Sequence, residues 1–154
     1  MTKKTLAIIG GGPNTVYALE ILLKKILKHN YNDIYKILIF DENGFFGYGN
    51  THNKNLDNNI LLNRVAGQIS LGSYPFIKFR NHLKKFDYNF LEWCKNNNLK
   101  YKPSDWPSRS IFGKALEDKF YDILSLFFKY TSIKIELVFT KVSKISKKKK
   151  KYLL

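Results

Sequence analysis

Three consecutive glycines between a short apolar run and an amphipathic segment carry the clearest chemical meaning in the sequence. Residues 5–9 are mostly apolar, as in a buried strand, and lead into a turn made of Gly10, Gly11, Gly12, Pro13 and Asn14. One glycine permits a tight turn, and a second lets the backbone approach a pyrophosphate, which then rests on the amides of the next helix. Thr15 takes the place of a third glycine, where it could cap the helix but would loosen helix–strand packing. The pattern predicts a dinucleotide site, with an ordinary strand–helix turn as the alternative.

An acidic pair directly follows the second predicted strand, at residues 35–40. Asp41 comes first and Glu42 second, and a carboxylate at this place accepts hydrogen bonds from a ribose hydroxyl. Asp41 lies farther from the glycines than the usual roughly 20 residues, because the first helix is long. We expect Asp41 to bind ribose, with Glu42 as the second choice and a solvated turn acid as the alternative. An acid here also disfavours the 2′-phosphate of NADP.

A second glycine-rich segment covers residues 44–49. Its glycines would let a loop fold closely over a ligand, so Gly47, Tyr48 and Gly49 are candidate cofactor contacts. A plain glycine loop is the alternative.

Residues 61–71 form an otherwise apolar segment that carries Asn63, Arg64, Gln68 and Ser70. Burying an unpaired polar group costs about 1–3 kcal/mol, so these side chains should have partners. The edge of a flavin ring would suit these side chains, and internal hydrogen bonding is the alternative.

Arg109 stands at the start of a predicted helix over residues 110–130, which Ser108 or Ser110 could cap. Only three of the 27 Lys and Arg residues are arginines, and an arginine offers a planar fork of donors that lysine lacks. A cation is unfavourable at a helix N-terminus. We therefore expect Arg109 to contact an anion, such as a phosphate or carboxylate.

The elements around these residues predict an α/β fold. A helical stripe follows the glycine turn, and residues 133–139 alternate as a third strand, with a further strand possible at 142–145. Residues 75–85, with Phe76, Phe79 and Leu83 on one face, and residues 90–94 are expected to be helices of an insert spanning about 72–105. One domain would cover 1–146, followed by a lysine-rich stretch at 147–154.

Composition narrows the function classes. The net charge of +15 comes mostly from scattered lysines, which resembles compositional drift, so a basic RNA-associated protein is a disfavoured alternative. No apolar run reaches the roughly 18 residues of a membrane span, and the beginning of the chain does not fit a signal peptide. A single cysteine, Cys94, fits a reducing cytoplasmic location.

Other chemistries find little support. His29, His52 and His82 lack metal-ligand spacing, so no metal site is expected. Cys94 follows Trp93 on an apolar helix face and should be buried and inert. No residue is singled out as a catalytic acid, base or nucleophile.

These motifs together resemble the FAD-NAD(P)-binding proteins, which are Rossmann-type flavoproteins distantly similar to the flavin N-hydroxylating monooxygenases. The glycine turn, the acid and the Gly-x-Gly loop are followed in order by Leu-Leu-Asn-x-x-Ala-Gly-Gln-x-Ser-Leu and Pro-Ser-Arg-x-x-Phe-Gly. The resemblance implies a parallel sheet flanked by helices. It also implies that Gly10, Gly12 and Asp41 hold the ADP half of FAD, with Asn63 and Gln68 toward the isoalloxazine.

Members of that family usually continue with a nicotinamide-binding region and a segment that closes over FAD. Neither pattern follows in this sequence, so we expect an N-terminal part with a truncated C-terminus and a missing C-terminal half. The resulting interpretation is an FAD-binding module of a flavin-dependent NAD(P)H oxidoreductase, incomplete as a catalyst, with NAD(P)H as co-substrate of a longer form. A non-catalytic nucleotide-binding or regulatory domain is the alternative, and the substrate is left open.

Overall fold

The computed structural model describes residues 3–29, 33–72, 76–79, 82–85, 89–148 and 151–153. Its elements follow the order expected of an α/β protein, and a 3-10 turn lies at Ala66–Gln68. In chain order they are β1 (Lys4–Ile9), α1 (Pro13–His29), β2 (Ile34–Phe40), β3 (Phe76–Phe79), β4 (His82–Lys85), α2 (Phe90–Asn96), α3 (Arg109–Tyr130), β5 (Lys134–Val138), β6 (Ser146–Lys148) and β7 (Lys151–Leu153).

The central sheet has three parallel strands in the order β1-β2-β5. Parallel neighbours require crossover connections, and here α1 links β1 to β2 while α3 precedes β5. The strand–turn–helix–strand unit at the beginning of the chain is therefore a βαβ unit. The predicted Rossmann-type α/β fold, with a parallel sheet flanked by helices, is confirmed.

The main hydrophobic core lies between this sheet and the two long helices. Alternation in β2 buries Ile37 and Ile39 completely, and apolar stripes on α1 and α3 meet them. The fully or nearly buried members are Val16, Leu19, Leu23, Ile26, Ile37, Ile39, Phe46, Phe120, Ile123, Leu126, Phe127 and Ile133.

A second hydrophobic cluster packs the connecting segments onto the first half of α3. It joins α2, the 3-10 turn and the loop after β2, and its buried members are Tyr48, Leu62, Ala66, Ile69, Leu71, Phe90, Trp93, Cys94, Ala115 and Leu116. The predicted burial of Cys94 is confirmed, and burial raises the pKa of its thiol to about 11.

The helix predicted over residues 75–85 is wrong. β3 and β4 pair there as antiparallel strands, with Phe76 opposite Lys85 and Phe79 opposite His82. Apolar residues spaced three or four apart in so short a segment fit either structure, and the backbone ladder between the two strands decides for the hairpin. The helix predicted at 90–94 is present as α2, while residues 73–75, 80–81 and 86–88 lie outside the described residues.

The further strand proposed at 142–145 is also absent from its expected place. Strand β6 begins one residue later, at Ser146, and pairs antiparallel with β7. The lysine-rich residues that follow form the hairpin ladder instead. Within the described parts of the chain, no helix has the length and apolar character needed to span a bilayer.

Candidate functional site

The sheet register brings the glycine turn and the acidic pair to one edge. Ile9, Phe40 and Val138 are neighbours across the ends of the three parallel strands. The Gly10 amide continues the ladder by donating to the Phe40 carbonyl at 2.8 Å, and the Asp41 amide donates to Val138 at 3.0 Å. Ligands of open α/β sheets bind at these carboxyl ends.

The glycine turn has the backbone geometry that the sequence predicts. Gly10 adopts a φ of +95°, which a residue with a Cβ rarely takes. The Thr15 hydroxyl donates to the Gly10 carbonyl at 2.6 Å, and its amide donates to Gly12 at 2.9 Å. Thr15 is thus a buried residue in the first turn of α1, and its two hydrogen bonds stabilise the backbone of residues 10–12. It does not act as the helix cap.

Two backbone donors at the start of α1 are open. Among the described residues, the amides of Gly12 and Asn14 donate no hydrogen bond, and Pro13 has no N–H to offer. Gly12 is half-buried and Asn14 is exposed. Unsatisfied amides at a helix N-terminus form a site for negative charge, so this end of α1 fits a pyrophosphate.

Asp41 is engaged with the protein itself. One carboxylate oxygen accepts from the Gly11 amide at 2.9 Å. The other oxygen accepts from the amides of Asn43 and Phe45, at 3.1 and 3.0 Å. A carboxylate can accept about four hydrogen bonds, so capacity for a ribose hydroxyl remains. The second choice, Glu42, is an exposed residue in a loose ion pair with Lys141 at 3.5 Å.

The second glycine segment packs closely on the protein, and its expected closure over a ligand stays a prediction. Gly47 has a φ of +90°, and a Cβ there would lie 2.9 Å from backbone atoms of α3 at Leu116 and Glu117. Gly49 has a φ of +62°, and its Cβ would lie 3.2 Å from the Cα of Gly12. The Tyr48 ring is buried in the second cluster, so a ligand contact by this residue would fall to its backbone.

The two glycine segments are joined directly. The Gly47 amide donates to the Gly11 carbonyl at 2.7 Å. A Cβ on Gly11 would lie 2.7 Å from the Phe46 ring, so Gly11 has to be glycine for internal packing. Of the candidate residues, the structure therefore brings together the glycine turn, Asp41, Gly47 and Gly49.

The polar side chains of residues 61–71 are exposed, so the expectation that they are buried is wrong. Leu62, Ala66, Ile69 and Leu71 face the second cluster, and the irregular backbone between them turns the intervening polar residues to solvent. Asn63 and Gln68 are both exposed. Within the described residues, no hydrogen bond joins either side chain to the glycine turn.

Arg109 is the first residue of α3, and Ser108 is its cap, accepting from the Ile111 amide at 3.3 Å. Ser110 instead donates to Asn58 at 2.6 Å. The half-exposed Arg109 reaches the Leu61 carbonyl with its Nε at 3.4 Å, and among the described residues no acid pairs with it. Burial, and then the Arg109 charge, lower the pKa of His52.

Sequence reasoning missed a buried ion pair between α1 and α3. Lys119 donates to Glu20 at 2.6 Å, and both side chains are nearly inaccessible. A signal was present, because each charged residue occupies a helical position within an apolar stripe, three or four residues from core residues such as Val16 and Ile123. No group of potential metal ligands occurs among the described residues.

Comparison with known proteins agrees with this architecture. A family model described as FAD-NAD(P)-binding matches residues 7–154. No curated protein matches the chain.

Proposed function

Because the chain belongs to the FAD-NAD(P)-binding family, we propose that this dinucleotide-binding module takes FAD and serves a flavin-dependent NAD(P)H oxidoreductase. The observation that carries the proposal is the pair of open amides, Gly12 and Asn14, at the start of α1 beside Asp41. They supply donors for a pyrophosphate, and the adjacent carboxylate supplies an acceptor for a ribose.

The proposed contacts divide between the two halves of FAD. The turn of Gly10, Gly11, Gly12, Pro13 and Asn14 would hold the pyrophosphate, and Asp41 the adenosine ribose. Asn63 and Gln68, exposed on the 61–71 segment, would reach the edge of the flavin ring. Arg109, which has no acidic partner among the described residues, would contact an anionic group of the cofactor or substrate.

An acid at the end of β2 favours FAD or NAD over NADP at this turn. A 2′-phosphate would place its negative charge beside Asp41 and Glu42, and like charges at close range repel. When bound, FAD would supply the redox chemistry, while the protein orients it. A cytoplasmic location, and the lack of NAD(P)H turnover by the 154-residue chain, remain predictions.

The test is cofactor binding by the purified chain. The protein should carry or take up FAD, seen as visible absorbance and identified by mass, and calorimetric titration should rank FAD above FMN and NADPH. Gly12→Val should strongly weaken FAD uptake. If the chain prefers NAD or binds no nucleotide, the proposal that it binds FAD is wrong. If it oxidises NADPH faster than free FAD does, the expected lack of turnover is wrong.

A further inference from the structure

A charged cluster lies between the two long helices, away from the glycine turn. Glu20 on α1 is 2% exposed and Lys119 on α3 is 5% exposed, with 2.6 Å between their charged atoms. Lys24 pairs with the other oxygen of Glu20. Burying a charge is unfavourable unless it is paired, and apolar side chains at these positions would often be at least as stable. The cluster is therefore not explained by stability alone.

Lys119 has a third contact, which leads out of the helices. Its ammonium also donates to the carbonyl of Leu71, and it stands 5.2 Å from the centre of the Tyr17 ring. One ammonium group therefore links α3, the first half of α1 and the end of the 61–71 segment. Hydrogen bonds from a charged donor are the stronger kind.

The rest of the 61–71 segment is held by a different part of the chain. The amides of Leu62, Ala66 and Gly67 donate to carbonyls of residues 103–107 at 2.8–2.9 Å. These bonds fix residues 62–67 to the loop that precedes α3. Lys119 instead ties it to α1, the helix that begins at the glycine turn.

We propose that Lys119, oriented by Glu20, is a positioning residue that fixes the 61–71 segment relative to the glycine turn and so governs affinity for the flavin half of FAD. This inference rests on the proposed function. FAD must contact the turn and the segment at once, whereas ADP needs only the turn and Asp41. Loosening the segment should therefore weaken FAD and leave ADP almost untouched.

The experiment compares the full chain with Lys119→Met and with the double variant Glu20→Gln/Lys119→Met. The double variant removes both charges, so no charge of this pair is left without its partner. Lys36→Met is the control, because it breaks the 2.8 Å ion pair with Glu136 on the sheet and leaves the segment alone. Affinities for FAD and ADP are measured by calorimetry, and hydrogen exchange of the Ala66 and Gly67 amides is followed without nucleotide.

We expect FAD to bind roughly 3- to 30-fold more weakly to both Lys119 variants, with ADP changed by less than about twofold. Exchange at Ala66 and Gly67 should become faster, and the control should change neither quantity. Retained ADP binding shows that a variant is folded.

Two results would overturn the positioning role: equal losses for FAD and ADP, or an unchanged FAD affinity despite faster exchange. A wild-type chain that binds ADP but not FAD would instead contradict the proposed function, and the positioning role with it.

Discussion

The turn at residues 10–12 and the loop at residues 44–49 are both glycine-rich, and both lie at the carboxyl edge of the sheet. In the first, the amides of Gly12 and Asn14 have no acceptor among the described residues. In the second, each close approach is to the protein: Gly47 meets α3 and Gly49 meets Gly12. One segment leaves backbone donors free at the start of a helix, and the other packs against the protein and against the first segment.

The difference shows that closely spaced glycines indicate that another group approaches the backbone. It does not show whether that group belongs to a ligand or to the protein. The first segment begins a helix, so the amides of Gly12 and Asn14 have no acceptor among the described residues, whereas those of Gly10 and Gly11 donate to Phe40 and Asp41. The second belongs to a loop whose amides are used, as in the bonds from Gly47 to Gly11 and from Gly49 to Phe45 at 2.7 and 2.8 Å. Substitutions can separate the two roles, since one should affect binding and the other folding.

Gly47→Ala should have the largest effect, on folding. The alanine would have to adopt a φ of +90° with its Cβ 2.9 Å from backbone atoms of α3, and neither can be relieved by a side-chain movement. We expect a loss of about 2–5 kcal/mol in the free energy of unfolding, measured by urea denaturation. A loss below about 1 kcal/mol would mean that the loop moves freely, and the supporting role would be wrong.

Gly12→Val should act on binding instead. The nearest atom to a Cβ at Gly12 is the Gly49 Cα at 3.6 Å, an ordinary contact, so the fold should survive. The valine would occupy space needed by a pyrophosphate, and we expect FAD to bind about 100-fold more weakly, roughly 2.8 kcal/mol. Gly49→Ala is the matched control, because it strains the other side of the same contact and should lower stability first. Native circular dichroism with unchanged affinity would refute the phosphate turn.

Asp41→Ala tests the residue that serves both segments. Loss of a charged acceptor should cost FAD about 1.5 kcal/mol or more, while FMN, which lacks the adenosine ribose, should lose less. Stability should also decrease, because the amides of Gly11, Asn43 and Phe45 lose their acceptor. Glu42→Gln should change neither quantity; if it weakens FAD as much as Asp41→Ala does, the ribose contact belongs to Glu42.

The long elements could be predicted from the sequence, because a helical stripe over 17 residues in α1 or 22 in α3 leaves one interpretation. The four-residue strands β3 and β4 could not, since their pairing depends on contacts between segments that local spacing does not encode. The carboxyl-edge position of the turn and of Asp41 followed from their places directly after the first two predicted strands. The direction in which the second glycine loop packs did not, because it depends on where α3 lies.

The polar residues of the 61–71 segment show the same limit. Hydrophobic neighbours suggested burial of Asn63 and Gln68, but in this irregular segment the chain turns them outward. In the sequence, Lys119 and Glu20 are visible only as single charges within two apolar helical stripes. Neither helix taken alone explains why a charge should be buried there. The two residues are 99 positions apart in the sequence, so only the packed structure explains both.

The smallest expected effect is a pH dependence of the free energy of unfolding that arises from His52, just after the second glycine segment. The His52 ring packs edge-on against Phe112 at 5.0 Å, and its buried Nδ1 has no partner among the described residues. Burial and the Arg109 charge lower the pKa of His52 in the folded state. Below an unfolded-state pKa of about 6.5, the unfolded chain therefore binds more protons, and the free energy of unfolding decreases as the pH is lowered.

His52→Phe keeps the ring contact and should remove this part of the decrease between about pH 7 and pH 5. Arg109→Gln should reduce it only partly, because burial, the larger cause, remains. Urea denaturation across the pH range measures both, and equal slopes for the wild type and His52→Phe would contradict the prediction. A different outcome would be that FAD affinity, and not stability, changes with the protonation of His52. Residues 44–53 would then have to face the ligand, and the two glycine segments would no longer differ in what they approach.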